Sequence, residues 1–382
     1  MSISLRHLSG PAAEAKVVFR APLLNGTGYA DESLSFFLAA QSQGIPMRTE
    51  LLNGEVEGVV APEDRRRVVD CYQTPFRREH AILYQATTAD GFLTDGYRYH
   101  IGRTMFETDR LPPGWVPKCN AMDEVWVPSR FNMETFARAG VKASKLRWVP
   151  AGVETNRFRP GLSPLEIPGR RKTNFLSIFE WSHRKGWDVL LKGYIRQFHK
   201  DDDVSLTIKT SSRGQDVVGD ILNLIEGELG NRVEETPPII LLEGFIANEQ
   251  YPSLYASGDA FVLPTRGEGY GRPFLEAMAC GKPVIGTRWS GQLDFMTDEN
   301  SYLIDLESIV PVDQRMDFYF YAGHMWAEPS AEHLGELMAR VVDRPDEAVR
   351  RAEQARQDMV SAWEWSLVGA RFAGELQRAI ER

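Results

Sequence analysis

The sequence PTRGEGYGRPFLEAMACG, residues 264–281, shows in one stretch how this chain folds. It follows AFVL at 260–263, a short apolar run that is typical of a buried strand. Pro273 suits the first turn of a helix, because its missing N–H would be unpaired there, and Gly281 suits the end of that helix. The stretch therefore predicts a strand, a loop with three glycines and a helix, in that order.

The glycine loop predicts a site for an anion. Glycines let backbone amides approach a ligand closely, and the helix dipole behind them favours negative charge. Glu268 and Glu276 flank this site, and a carboxylate beside a phosphate is unfavourable unless it accepts hydrogen bonds from hydroxyl groups. Because sugars supply hydroxyls, the pattern points to a nucleoside diphosphate sugar, with one glutamate on the sugar and the other on the ribose.

The same order of strand, turn and helix recurs along the chain and predicts an α/β protein with parallel sheets. The other predicted strands are 17–19, 81–84, 124–128, 174–178, 204–208, 239–242 and 283–286. Residues 149–169 are rich in proline and glycine and mark a domain boundary. We expect Rossmann-like domains over 1–158 and 159–355, facing each other across a cleft. A helical segment over 356–382, with Trp363 and Trp365 as anchors, should pack back on the first domain.

Composition excludes several classes of protein. The 382 residues are 43% hydrophobic and 25% charged, as in ordinary globular proteins, and the net charge of −9 argues against non-specific nucleic-acid binding. Cys71, Cys119 and Cys280 have neither disulfide nor metal spacing, so we expect core residues in a reducing compartment. The first 19 residues lack a continuous apolar segment, so we expect no secretory signal, and no apolar run reaches about 18 residues. These features predict a cytoplasmic protein.

The segment EGYGRPFLEAMACGKPVI, with Glu268 and Glu276 in E-x7-E spacing, resembles retaining GT-B glycosyltransferases of family 4. Other segments resemble that family too: DEVWVPSRFNMETFARAGV, VPAGVETNRFRP, GFIANEQYPSLY and LYASGDAFVLPT. The resemblance covers most of 120–305 and only loosely the first 120 residues. It implies a GT-B fold with the acceptor on the first domain and the donor on the second.

The resemblance also implies roles for residues of the second domain. Glu268 would bind the donor sugar and Glu276 the ribose. The amides of Gly269, Tyr270 and Gly271 would receive the diphosphate, next to Arg272, and Phe245 lies in the loop that contacts the base.

The resemblance places the positive charge that neutralises the leaving phosphate in the segment SHRKG, residues 182–186. Lys185 matches the lysine that neutralises the leaving phosphate in the family. Five residues before this lysine the family usually has an arginine, and this sequence has Glu180 there. Arg184 is our candidate to supply the positive charge of that arginine.

The first domain offers fewer signals. The segment NGTGY at 25–29 resembles the family's N-terminal glycine loop, so Gly26 and Gly28 should face the donor phosphates. Glu107 is the candidate for a carboxylate that faces the acceptor, and His100 is a weaker one. Asp201-Asp202-Asp203 has the D-x-D spacing of some metal sites, but it lies between a helix and a strand and is expected to be a solvated turn.

These observations favour a retaining hexosyltransferase that needs no metal and no cofactor besides its nucleotide sugar, and that reacts on the face of the leaving group. The acceptor is a carbohydrate, a small molecule or a lipid-linked molecule, with peripheral membrane contact left open. A GT-B nucleotide-sugar epimerase and a non-catalytic sugar-nucleotide-binding protein are the alternatives.

Overall fold

A computed structural model describes residues 14–212, 214–244, 246–313 and 321–382. It consists of two α/β domains, each built on a six-stranded parallel sheet, and a hairpin. Several strands, such as Ile82–Ala86 and Ala260–Leu263, are buried along their whole length, as expected where helices cover both faces of a parallel sheet. The expected α/β fold is confirmed.

The sheet of the first domain has the strand order β2-β1-β3-β4-β5-β6. Its strands are β1 (Val17–Ala21), β2 (Met47–Leu51), β3 (Ile82–Ala86), β4 (Tyr99–Arg103), β5 (Glu124–Val127) and β6 (Leu146–Trp148), and its helices are α1 (Gly28–Ser42), α2 (Pro62–Asp70), α3 (Trp115–Ala121) and α4 (Arg130–Ala139). Ser129 caps α4 by accepting a hydrogen bond from the Asn132 amide at 3.2 Å, and Gly140 ends the helix with φ 111°.

The sheet of the second domain has the order β12-β11-β10-β7-β8-β9. Its strands are β7 (Thr173–Glu180), β8 (Val204–Ser211), β9 (Ile239–Leu242), β10 (Ala260–Leu263), β11 (Val284–Thr287) and β12 (Tyr302–Ile304), and an antiparallel hairpin follows, β13 (Leu306–Pro311) and β14 (Met325–Pro329). The helices are α5 (Trp187–Gln197), α6 (Val217–Leu222), α7 (Tyr251–Ser257), α8 (Arg272–Ala279), α9 (Ala331–Asp343), α10 (Pro345–Asp358) and α11 (Trp365–Ile380). Among the described residues, no helix combines the length and apolar character that crossing a bilayer requires.

The chain crosses back to the first domain before α11, as the sequence predicts. Phe372 of α11 stacks on Phe36 of α1 at 4.2 Å between ring centroids, and Trp365 meets the same ring edge-on at 5.0 Å. Trp363 differs from the expectation: its ring lies 5.7 Å from Phe295 of the second domain. The two tryptophans therefore anchor opposite sides of the crossover.

Two glycines of α11 give a test of this packing. A Cβ at Gly369 would lie 2.6 Å from the Ala39 Cβ, whereas one at Gly374 would have nothing within 4 Å. In a helix interior, Gly→Ala is otherwise favourable by about 1 kcal/mol. We expect Gly369→Ala to lower the melting temperature and Gly374→Ala to raise it slightly. Equal melting temperatures for the two variants would contradict the packing of α11 on α1.

Candidate active site between the two domains

The loop between β10 and α8 lies directly against the first domain. A Cβ at Gly267 would be 2.1 Å from the Glu107 carbonyl oxygen, so a residue with a side chain does not fit there without movement. The Ser129 hydroxyl donates to the Gly269 carbonyl at 2.7 Å, and the buried Tyr270 hydroxyl donates to the Ala151 carbonyl. The predicted phosphate loop is therefore part of the domain interface.

The Glu268 carboxylate is buried among hydrogen-bond donors. Its Oε1 lies 2.5 Å from Lys185 Nζ, 3.1 Å from the Thr265 hydroxyl and 3.5 Å from Arg184 Nη1. Burial alone would raise the pKa of Glu268, but Lys185 and Arg184 hold it below its usual value. Burial lowers the pKa of Lys185, and the Glu268 charge acts in the opposite direction. The pair is thus a buried ion pair next to the domain interface.

Arg184 connects this pair to the first domain. Its Nη1 donates to the Gly267 carbonyl at 2.6 Å, and its Nη2 lies 3.8 Å from Glu107 Oε1. The structure therefore brings together the four residues predicted to be catalytic, which are Glu107, Arg184, Lys185 and Glu268. Their charges alternate, with one arginine between two carboxylates.

The segment that carries Glu107 is also held by the hairpin of the second domain. The Asp109 amide donates to the Met325 carbonyl at 3.1 Å, and the Met325 amide donates to Asp109 Oδ1 at 2.7 Å. Thr108 Oγ1 and His324 Nδ1 are 2.7 Å apart. Thr108 and Asp109, the two residues after Glu107, are thus held by His324 and Met325 at the start of β14.

The basic turn at 183–185 depends on Arg266. Its guanidinium binds both carboxylate oxygens of Asp188 at 2.8 and 2.9 Å and both of Glu328 at 2.7 and 2.8 Å. Nη1 also donates to the His183 carbonyl at 2.8 Å. Gly186, with φ 69°, follows the turn, and a Cβ there would be 1.9 Å from the Pro264 carbonyl oxygen. Arg266 and this close approach fix Lys185 relative to the loop.

Glu276 lies apart from Glu268, one helical turn into α8. Its Oε2 accepts from the Tyr255 hydroxyl at 2.8 Å, and its Oε1 is 3.4 Å from Arg272 Nη2. Burial raises the pKa of Glu276. Arg272 also donates to the Gly28 carbonyl at 2.9 Å and binds Asp31, so it ties α8 to the first glycine loop.

A cavity of about 510 Å³ opens beside Glu276, between the domains. Gly26, Gly28 and Asp31 line it from the first domain. The second domain contributes Glu276, Arg272, Tyr251 and Lys209, together with apolar side chains. A cavity of this size with few polar groups is typical of a small-molecule site.

The backbone amides of Gly269, Tyr270 and Gly271 have no protein acceptor among the described residues. They precede the N-terminus of α8, where an anion is favoured. Their proposed ligand, a diphosphate, stays a prediction.

Two other candidates are not at this site. His100 is the second residue of β4, at the end of the strand far from the cleft, and its Nδ1 lies 3.5 Å from Asp123 Oδ2. The expectation that His100 faces the acceptor is therefore wrong. The D-x-D segment forms a turn in which Asp202 accepts from the His199 amide and Asp203 from the Lys172 amide. Phe245 lies outside the described residues.

Within the described ranges, no three or more His, Cys, Asp or Glu side chains cluster in a way that could hold a metal ion.

Comparison with known proteins agrees with the geometry of the second domain. Residues 171–312 match the model of the family described as glycosyl transferases group 1. The matched region runs from just before β7 to the end of β13 and is similar to that family.

Curated relatives are similar at low identity. The chain is 25% identical over 267 residues to a GDP-mannose-dependent alpha-(1-6)-phosphatidylinositol monomannoside mannosyltransferase of Mycobacterium tuberculosis, covering 67% of this chain and 62% of that protein. It is 26% identical over 159 residues to mannosylfructose-phosphate synthase of Agrobacterium fabrum, covering 40% and 34%. The chain thus spans between about a third and three fifths of the length of these relatives.

Solved structures agree on the fold. Anabaena HepE, solved with UDP and glucose, aligns with TM-score 0.67 at 14% identity, over 96% of this chain and 100% of that one. Sucrose-phosphate synthase of Thermosynechococcus elongatus aligns with TM-score 0.65 at 16% identity, over 97% and 96%. The fold of this chain is therefore GT-B, as the resemblance implied.

The role of Arg266 in the second domain can be tested by measuring the free energy of unfolding. Arg266→Met leaves the buried Asp188 carboxylate and the His183 carbonyl unpaired, so we expect a loss of about 3 kcal/mol in the free energy of unfolding. Arg288→Met is the matched control, because Arg288 pairs with Asp298 and Asp305 at the surface. It should cost less than about 1 kcal/mol. Similar losses in urea unfolding for both variants would contradict the account.

Glu276 predicts a pH-dependent effect on stability. The pKa of Glu276 is raised in the folded protein, so ionisation of this carboxyl lowers the free energy of unfolding. This loss is absent below the pKa of a glutamate in the unfolded chain, about 4.3, and is complete once the pH has passed the folded-state pKa. Glu276→Gln keeps an acceptor for Tyr255 and cannot ionise. We expect it to raise the melting temperature at pH 8 and to have little effect at pH 4. A melting temperature below that of the wild type at pH 8 would show that the charged carboxylate is favoured instead.

Proposed function

We propose that this protein is a glycosyltransferase that moves a hexose from a nucleoside diphosphate sugar to an acceptor hydroxyl, with retention and without a metal ion. The single observation that carries the proposal is the contact of the Glu268 carboxylate with the two cations Lys185 and Arg184. Glu268 lies in the loop between β10 and α8, within the region that matches the group 1 model. Sugar hydroxyls and a diphosphate are the two kinds of group that such a cluster can bind at once.

The transfer develops positive charge on the anomeric carbon and negative charge on the departing diphosphate. Lys185, Arg184 and the amides at 269–271 would stabilise the second charge, because fixed donors bind a transition state more strongly than a ground state with less charge. Glu268 would accept hydrogen bonds from the donor sugar. These cations supply the charge neutralisation for which other transferases use a metal.

Retention follows if the acceptor attacks on the face of the leaving group. The departing phosphate could then take the acceptor's proton. Glu107, 3.8 Å from Arg184 and on the first domain, would orient the acceptor hydroxyl. We assign no side chain as a covalent nucleophile.

The relatives supply the first donors to try. One is named for GDP-mannose, and HepE was solved with UDP and glucose. For the acceptor we propose a carbohydrate or a lipid-linked glycan, since one relative is named for a phosphatidylinositol mannoside and another for mannosylfructose phosphate.

Thermal shift against GDP, UDP, ADP, TDP and CDP, and the corresponding sugars, tests donor binding. A ligand at 100 times its dissociation constant stabilises the protein by about 2.7 kcal/mol, which is a shift of roughly a few degrees. Incubation of the donor alone then separates transfer from epimerisation, because only an epimerase changes the sugar without an acceptor. No shift with any nucleotide would overturn the proposed function.

The two glutamates should separate turnover from binding. We expect Glu268→Ala to reduce turnover by about 100-fold or more and to leave the affinity for the nucleoside diphosphate nearly intact. Glu276→Ala should weaken the nucleoside diphosphate itself by about tenfold. Glu234→Ala is the control, since the Glu234 side chain is 76% exposed. Small and equal effects of both substitutions would contradict the assigned roles.

A further inference from the structure

Lys209 is a buried ammonium group that the proposed mechanism does not use. The residue is 5% exposed, lies near the carboxyl end of β8 and lines the 510 Å³ cavity. Its Nζ donates to the Thr210 carbonyl at 3.0 Å and to the Gly244 carbonyl at 2.7 Å. Within the described part of the chain, it makes no ion pair with a carboxylate.

An ammonium group has three N–H donors, and two of those on Lys209 are used by the protein. For the third, the described residues offer no acceptor, and Lys209 lines the cavity. A buried charge without a counterion is costly unless hydrogen bonds compensate for it, and burial accordingly lowers the pKa of Lys209. A ligand that fills this part of the cavity must therefore bring a hydrogen-bond acceptor.

The position of Lys209 in the sheet indicates which part of the ligand it meets. The Glu268 loop follows β10 and the Lys185 turn follows β7, and the sheet continues to β8 and β9. Adjacent strands are about 4.8 Å apart, so Lys209 on β8 and Gly244 after β9 lie roughly 5 to 14 Å beyond the reaction centre. The 510 Å³ cavity lies on this side, so it is where the nucleoside of the donor would lie if the sugar sits at Glu268.

The walls near Lys209 suit a flat ring rather than a phosphate. Ile178 is its partner in the register of β7 and β8, and Ile246 and Tyr251 line the same cavity. Apolar side chains of this kind favour the faces of a heteroaromatic base. The ammonium then lies at the edge of the base, where keto and amino groups differ in hydrogen bonding.

We propose that Lys209 selects nucleotides whose base carries a keto oxygen at this edge, as in guanine, hypoxanthine or uracil, and rejects adenine and cytosine. The keto oxygen accepts the third N–H of Lys209, whereas an amino group in the same place is itself a donor and leaves both donors unpaired. The inference rests on the proposed function, because it takes the cavity to be the nucleotide site.

Two pairs of ligands differ in this group and in the protonation of the ring nitrogen beside it, so the Lys209 variants assign the effect. IDP and ADP differ at a keto or amino group on the six-membered ring of the purine, and UDP and CDP differ in the same way on the pyrimidine. We expect the wild type to bind the keto member of each pair about 10- to 100-fold more tightly in calorimetric titration, the range for a hydrogen bond to a charged group.

Lys209→Met should abolish this preference and leave the amino member bound as in the wild type. Lys209→Gln, which retains an N–H donor toward the carbonyls, provides a second variant if the methionine variant does not fold. Lys192→Met, on the surface beside Glu228, is the matched control and should keep the preference.

Each other outcome overturns the inference. Equal binding of IDP and ADP by the wild type, or a preference that persists in Lys209→Met and Lys209→Gln, excludes base selection by Lys209 while the proposed function stands. Equal weakening of all four nucleotides by the substitution would place the ammonium at the ribose or the diphosphate. No binding of any nucleotide would remove the proposed function as well.

Discussion

The buried ion pair of Glu268 and Lys185 is the interaction on which the rest of the site depends. Taking two charges out of water costs several kcal/mol for each, and their attraction offsets this only where the geometry is well fixed and other donors complete it. Thr265 and Arg184 complete it for Glu268. The surrounding structure can be understood as the means of holding these four groups in place.

Three contacts, from different parts of the chain, hold the pair and the neighbouring Glu107 segment. Arg266 fixes the turn that carries Lys185 by binding Asp188, Glu328 and the His183 carbonyl. The absence of a side chain at Gly267 lets the loop that carries Glu268 reach the first domain. The hairpin holds the segment of Glu107 through Asp109. Because the second and third of these contacts join the second domain to the first, the geometry of the candidate site is tied to the way the domains meet.

Local patterns in the sequence were sufficient for the elements nearest the site. Glycine spacing, Pro273 and Gly281 predict the loop and α8, because helix limits depend on residues only a few positions apart. Arg266 was missed, since its partners Asp188 and Glu328 are 78 and 62 residues away and nothing local marks it as buried. Lys209 was missed for a similar reason: in VSLTIKTS it looks like one polar residue in an ordinary strand. His100 was misjudged because its segment is a strand that begins at the far end of the sheet.

The most direct measurement replaces the central ion pair with a neutral pair of similar size, Lys185→Met with Glu268→Gln. Replacing a buried ion pair by neutral groups often leaves stability unchanged, so the double variant should melt close to the wild type. The release of nucleoside diphosphate from GDP-mannose and from UDP-glucose would then be compared between the wild type and the double variant. Each reaction would contain a mixture of candidate carbohydrate and lipid-linked acceptors. The account predicts release by the wild type and its loss in the folded double variant. Release at the wild-type rate would show that the pair is structural and would contradict the central claim.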